Sequence, residues 1–234
     1  MDAAPTLRSV LAHVPVLPLP AGVLFPGIVL PLQLAEQPDR ALVDDVLAGP
    51  RHLVLSLVRP PSGAAGCAPV ARPAAALPPA LHAVGCVARL IHARRLPQGG
   101  YSILLQGLER VALVHELPAN RPYRCFRAEP FPPWPLAARP LLQAELARLQ
   151  LYVRRLSERA ALADPQLVAV LRATREPLAL MDLLAAVLIP DPQQQQRLLA
   201  TVDVRARVQQ VTAALAAALL RLGPSVRRAD AAAP

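Results

Sequence analysis

Val84-Gly-Cys-Val-Ala-Arg-Leu-Ile-His-Ala-Arg-Arg-Leu96 and Tyr101-Ser-Ile-Leu-Leu-Gln106 flank the tetrapeptide Pro97-Gln-Gly-Gly100, and this stretch decides the fold. Two apolar runs joined by a short turn with two glycines form the pattern of a β-hairpin. Gly107 follows at once, inside a strand pattern that resumes at Val111-Ala-Leu-Val114. A glycine there marks a bulge or corner, the device by which a small sheet curls closed. Working backward, the pattern predicts strands over Val14–Leu19, Ile28–Leu34 and Leu53–Val58. The first carries Pro15 and Pro18, which places it at an edge or a strand start. Residues 38–48 read as a helix with Leu42, Val46 and Leu47 toward the core, stopped by Gly49-Pro50. Residues 59–80 are Pro, Ala and Gly with little else, a long exposed loop. Cys125-Phe-Arg-Ala128 reads as the closing strand.

The texture then changes. Glu129-Pro-Phe-Pro-Pro-Trp-Pro135 holds four prolines in seven residues, too many for a regular helix or a central strand. It divides the chain into a β-barrel over 10–130, a helical bundle over 136–222 and a flexible tail over 223–234. The fold class is α+β. Leu142, Leu146, Leu149, Val153 and Leu156 form one apolar stripe at helical spacing. Pro165 and Pro177 open the next helices. Asp191-Pro192 supplies an N-cap followed by proline at the first helical position. Asp203 caps a last helix with Val204, Val208, Val211, Leu215, Leu219 and Leu222 on one face, ended by Gly223-Pro224.

Composition sets the outer limits. Hydrophobic residues make up 54% of the 234 and charged residues 18%, ample for a core and unlike a disordered chain. The net charge is +9, and every basic side chain is Arg, with no Lys at all. Such a balance permits contact with anionic surfaces or nucleic acid. The densest clusters, Arg121/Arg124/Arg127 and Arg154/Arg155/Arg159, read as solvated faces. Cys67, Cys86 and Cys125 are odd in number, widely spaced and without a CxxC pair, which fits a reducing compartment. The uncharged stretch from Ser9 to Ala35 is broken by prolines, so no straight membrane helix forms through it. The expectation is a cytoplasmic protein with no membrane contact.

Several short motifs, in this order, resemble one family. Leu17-Pro-Leu19 with Phe25-Pro-Gly-Ile-Val-Leu-Pro-Leu32 resembles the opening of the Lon protease N-terminal domain. Gly85-Cys-Val-Ala-Arg-Leu-Ile91, Leu96-Pro-Gln-Gly-Gly100, Gln106-Gly-Leu-Glu-Arg110 and Pro122-Tyr123 resemble its following strands and hairpin. Asp182-Leu-Leu-Ala-Ala-Val-Leu-Ile189 and Leu198-Leu-Ala-Thr-Val-Asp-Val-Arg-Ala-Arg-Val208 resemble its helical part. The likeness spans about residues 14–220. It implies a PUA-like barrel followed by a helical bundle, in a stand-alone form. Its scaffold positions here are Phe25, Pro26, Gly27, Pro31, Gly85, Gly107, Arg110, Asp203 and Arg207. It implies unfolded or client polypeptides as partners, with a separate protease or chaperone, in protein quality control. No cofactor and no catalytic residue is expected. No Gly-x-x-x-x-Gly-Lys-Ser/Thr loop occurs, and without Lys these residues supply neither a P-loop lysine nor a Ser-Lys dyad.

RNA binding is the alternative, because PUA-like barrels also serve RNA; Tyr101, Tyr123, Phe126 and Phe25 would be its stacking rings. The substrate groove itself has no sequence signature. The 59–80 loop and the hairpin tip at 94–101 are candidates as exposed segments. His82, Cys86 and His92 share strand parity and form the nearest approach to a metal set, but no fourth ligand is placed and barrel packing is the simpler reading. Cys67 lacks the local signature of a nucleophile. Asp44 and Asp45 read as a solvated helix face, and Gln193-Gln-Gln-Gln196 as helical surface. Trp134 reads as packing the linker.

Overall fold

The structure is a computed structural model, and it describes residues 6–60, 78–118, 121–132, 143–160, 165–174 and 176–221. The loop expected at 59–80, the linker around Trp134, Cys67 and the tail from 222 onward lie largely or wholly outside them. The element order is α1 (Leu7–Leu11), β1 (Val14–Leu19), β2 (Val29–Leu34), α2 (Gln37–Ala48), β3 (His52–Leu57), β4 (Val84–Arg95), β5 (Tyr101–Leu117) and β6 (Arg124–Pro130). Helices follow: α3 (Gln143–Ala160), α4 (Pro165–Ala173), α5 (Pro177–Leu188), α6 (Pro192–Ala200) and α7 (Val204–Arg221).

The sheet runs β2-β5-β4-β3-β1-β6, and a further β5–β6 pairing closes it. The ring is thus β5, β4, β3, β1 and β6, with β2 attached outside it along the first half of β5. Closure depends on the length of β5. Its residues Tyr101–Gln106 pair with β2 and Val111–Leu117 with β6. The strand therefore does not stop at Gly107. It continues through a bulge in which Val87 faces Glu109 and Ala88 faces Gly107. Further register shifts fall at Ile91 and at Val114. An extra residue in a ladder turns outward, and both of these apolar side chains are exposed, at 42% and 54%.

β1 is not an edge strand. It lies between β3, in parallel pairing from Val16 to Leu19, and β6, in antiparallel pairing from Val14 to Val16. The prolines are tolerated because the two partners overlap only at Val16. Pro15 precedes the β3 ladder and Pro18 lies beyond the β6 ladder, so each has a partner on one side only. Inside the ring, Leu17, Leu55, Cys86, Leu90, Ile103 and Leu105 form a core cluster that Leu42, Val43 and Val46 of α2 complete. Val14, Val16, Val54, Val87 and Val111 form a second cluster with α1.

The chain divides into two compact units, Met1–Pro133 with Pro190–Val202, and Trp134–Ile189 with Asp203–Pro234. The difference from a simple barrel-then-bundle division is α6, which belongs with the barrel. In the second unit α7 packs on α3 and α5, and α3 on α4. Leu149, Val153 and Leu156 of α3 are buried, as are Val168 and Leu171 of α4 and Val204, Val208, Val211, Leu215 and Leu219 of α7. Of the stripes read in the sequence, Leu146 is half-buried, and Leu142 and Leu222 lie outside the described residues. Asp203 caps α7, its carboxylate accepting from Arg205 N at 2.9 Å.

Candidate functional site

The turn Phe25-Pro26-Gly27 and the bulge glycine Gly107 meet in one clasp. Gly27 N donates to Gly107 O at 2.9 Å, and Gly107 N donates to Ile28 O at 2.9 Å. A Cβ on Gly107 would stand 2.3 Å from Phe25 O, so only glycine allows the approach. Gly27 has φ +79, a left-handed turn conformation. Phe25 is fully buried. Gly85 serves β3 in the same way, since its Cβ would lie 2.5 Å from Leu55 O. These five positions lie in the barrel wall.

Pro31 acts at the edge. β2 has β5 as its strand partner, and Ile28 O already faces β5. Strand groups alternate sides, so Val29, Pro31 and Gln33 turn their backbone toward the open edge. Proline there removes a donor and blunts the edge against pairing with another chain. Arg110 sits on β5 opposite Cys86, its carbonyl taking Phe131 N–H at 2.9 Å. Asp203 and Arg207 stand in the other unit. Arg207 Nη2 donates to Asp182 Oδ1 at 2.8 Å, and both side chains are almost wholly buried.

Two other readings change. Asp44 and Asp45 are not merely solvated. Asp44 accepts from the Tyr101 hydroxyl and from Arg95 Nη2 at 3.0 Å, while Arg95 Nε donates to Tyr101 Oη at 2.8 Å. Asp45 accepts from the Tyr123 hydroxyl and from Arg121 Nη1 at 2.6 Å. Burial and the bond to Asp45 push the Tyr123 hydroxyl up to about 12; the bond to Asp44 and burial raise that of Tyr101. Both therefore stay protonated as donors, pinning α2 to the β4–β5 hairpin and to the start of β6. The adjacency of the two acids allows each to serve a different neighbour.

Nor is the glutamine run helical surface throughout: Gln194 is exposed and Gln193 half-buried, while the next two are buried. Gln195 and Gln196 are buried at 8% and 3% exposure. Gln195 Oε1 accepts from Val23 N at 3.1 Å, and Gln196 Nε2 donates to Val84 O at 2.8 Å. Asp191 caps α6 by accepting from Gln193 N at 3.0 Å. Side-chain amides thus dock α6 on barrel backbone groups that the strand ladder leaves open. A run of four consecutive glutamines at one helix start was the available signal.

His82, Cys86 and His92 do not converge. His82 precedes β4, Cys86 is fully buried, and the bulge at Ile91 turns His92 to the exposed face. No group of three His, Cys, Asp or Glu suited to a metal occurs among the described residues. The basic cluster at 121–127 is internally paired, Arg121 with Asp45, Arg124 with Glu116 at 2.6 Å through both nitrogens, and Arg127 with Glu129 at 3.3 Å. The bond from Arg124 holds the Glu116 carboxyl below its ordinary value. Among the described residues no helix is long and apolar enough to cross a membrane. On the outer face of β2, β5 and β4, Val29 is 48% exposed and lies in register with Gln106 and Arg89, beside Pro31, Leu104 and Ile91.

A model of the ATP-dependent protease La (LON) substrate-binding domain matches residues 13–217. The chain belongs to the Lon substrate-binding domain family. It is 29% identical over 215 residues to the Lon protease of Methylocella silvestris, covering 91% of this chain and 25% of that one. It is 31% identical over 209 residues to the Lon protease of Roseiflexus castenholzii, covering 84% and 23%. The chain thus spans about a quarter of the length of these Lon relatives. Two solved structures share the fold at 18% identity. One is the N-terminal domain of Mycobacterium avium complex Lon protease, with a TM-score of 0.66 over 87% of this chain and 98% of that one. The other is a Lon N-terminal domain protein from Xanthomonas campestris, with a TM-score of 0.52 over 86% and 97%. The fold is the α+β barrel-and-helix architecture of Lon N-terminal domains.

Proposed function

We propose that this Lon-family domain binds unfolded or client polypeptides for protein quality control and does no chemistry of its own. A separate protease or chaperone would act on what it holds. The observation that carries the reading is the match of residues 13–217 to a substrate-binding domain. The outer face of β2, β5 and β4 supports it, because Val29, Pro31, Leu104 and Ile91 present apolar surface beside Gln106 and Arg89. Contact with apolar client segments would contribute about 25 cal/mol per Å² buried.

The RNA alternative has less support. Phe25, Tyr101, Tyr123 and Phe126 are at most 8% exposed, so none offers a face for base stacking. The tyrosine hydroxyls and the nearest arginines are already engaged with acids. A salt titration separates the two readings. Client binding, read by anisotropy of a labelled unfolded protein, should hold or strengthen as salt rises. RNA affinity should fall steeply through counterion release. Submicromolar RNA binding with a steep slope, and no binding of unfolded polypeptide, would overturn the proposal.

A further inference from the structure

A cleft of about 450 Å³ opens between α2 and the β4–β5 turn, within the size range of small-ligand sites. Its walls carry two guanidinium groups, Arg40 and Arg95, and one carboxylate, Asp44. The carboxylate is committed to Tyr101 and Arg95. Arg40 stands one helical turn before Asp44, a spacing at which the two would ordinarily pair. Asp44 leans to the hairpin instead, and Arg40 meets no acid within ion-pair distance among the described residues. Arg40 Nη1 lies 3.5 Å from where a Cβ on Gly99 would stand, and Gly99 has φ +85. The guanidinium thus lies alongside the glycine turn, at the wall of the cleft. Ala41, Leu96 and Pro97 add apolar lining beside it.

We propose that this cleft takes a carboxylate of a bound polypeptide, with Arg40 as its anchor and the neighbouring apolar residue against Ala41 and Leu96. The cleft has one positive charge more than its acid neutralises, which matches a monoanion. Asp44 on the wall opposes a doubly charged phosphate. A planar guanidinium fork suits the two oxygens of a carboxylate. The carboxylate belongs to a chain terminus or to an Asp or Glu side chain. This inference rests on the polypeptide-binding reading above.

The test uses the full 234-residue chain and three labelled peptides of one apolar sequence. One ends in a free carboxylate, one is amidated, and one is amidated with a single internal Glu. Anisotropy should show the free acid, the Glu peptide or both binding about tenfold tighter than the plain amide. Whichever acid gains names the source. Arg40→Ala should erase the gain without moving the amide's affinity, and Arg40→Lys should restore part of it. The urea midpoint of Arg40→Ala should match the parent, because the side chain holds no partner to lose. Equal affinities for all three peptides would overturn the cleft while leaving polypeptide binding intact. Gains that survive Arg40→Ala would also overturn it. Failure of all three peptides, and of a labelled unfolded protein, would remove both readings together.

Discussion

The barrel and the helical unit are held by different kinds of contact. In the barrel, backbone meets backbone where no side chain fits: Gly107 against Phe25 and Gly85 against Leu55. The polar groups left over are met by amides from α6. In the helical unit, apolar stripes at helical period meet one another around a buried ion pair, Asp182–Arg207. The difference teaches where each unit tolerates change. Apolar stripes accept a resized side chain at graded cost. A backbone clasp accepts nothing.

The hardest test of that contrast is Gly107→Val. Its branched side chain would have to occupy the position 2.3 Å from Phe25 O. The clasp must open, and with it the β2–β5 pairing. Loss of cooperative barrel unfolding is expected, a destabilisation of at least about 4 kcal/mol. Hydrogen exchange should show it in β2 and β5 first. A near-normal urea curve would mean the Phe25 turn is far softer than its two hydrogen bonds suggest.

Second in size is Arg207→Met. It leaves Asp182 buried without its cation, at a cost of about 3–5 kcal/mol. Replacing both members, Asp182→Leu with Arg207→Met, should recover most of that loss, since a well-packed apolar pair avoids the desolvation cost. Denaturant midpoints of the two single variants and the double variant settle the point. No recovery would mean the pair orders the helices in a way apolar packing cannot.

Gln196→Leu comes third. It preserves volume but strands the Val84 carbonyl, at about 1–3 kcal/mol. Exchange protection should fall in α6 and at Val84 while α3 and α7 keep theirs. Equal loss in α3 and α7 would place α6 energetically with the helices rather than with the barrel.

This last element shows where the sequence was legible. The hairpin, the caps at Asp191 and Asp203, and the stripe of α3 are local signals: turn chemistry, a capping oxygen, a period of 3.6. The structure has each of them. What local reading missed is long-range. Gln195 reaches Val23 across 172 positions and Gln196 reaches Val84 across 112. A glutamine has the same letter whether it faces water or a strand. The edge placement of β1 fails for the same reason, although Pro15 does stand at the strand start. Pro15 and Pro18 speak of missing donors, and only the three-dimensional pairing shows that the two partners overlap at one residue. The site fared similarly: the scaffold glycines were visible as motifs, whereas the cleft beside Arg40 depends on which way Asp44 turns.

The smallest effect tests the same α6 seam by pH. His82 precedes β4 and has Gln193 of α6 as a side-chain neighbour. Burial lowers its pKa, the bond to Gln193 opposes this, and Arg59 adds to the lowering. The folded state therefore favours the neutral ring. A depressed folded pKa means the contribution is fully present above the unfolded value of about 6.5 and is lost as pH falls through the folded value. Stability and α6 protection should accordingly decline below about pH 6.5. The chain holds four other histidines, so the measurement is a difference between parent and variant. His82→Asn should flatten part of the change in urea midpoint between neutral and mildly acidic pH. If it leaves the whole change in place, His82 does not couple α6 to the barrel, and the amides of Gln195 and Gln196 hold the seam without it.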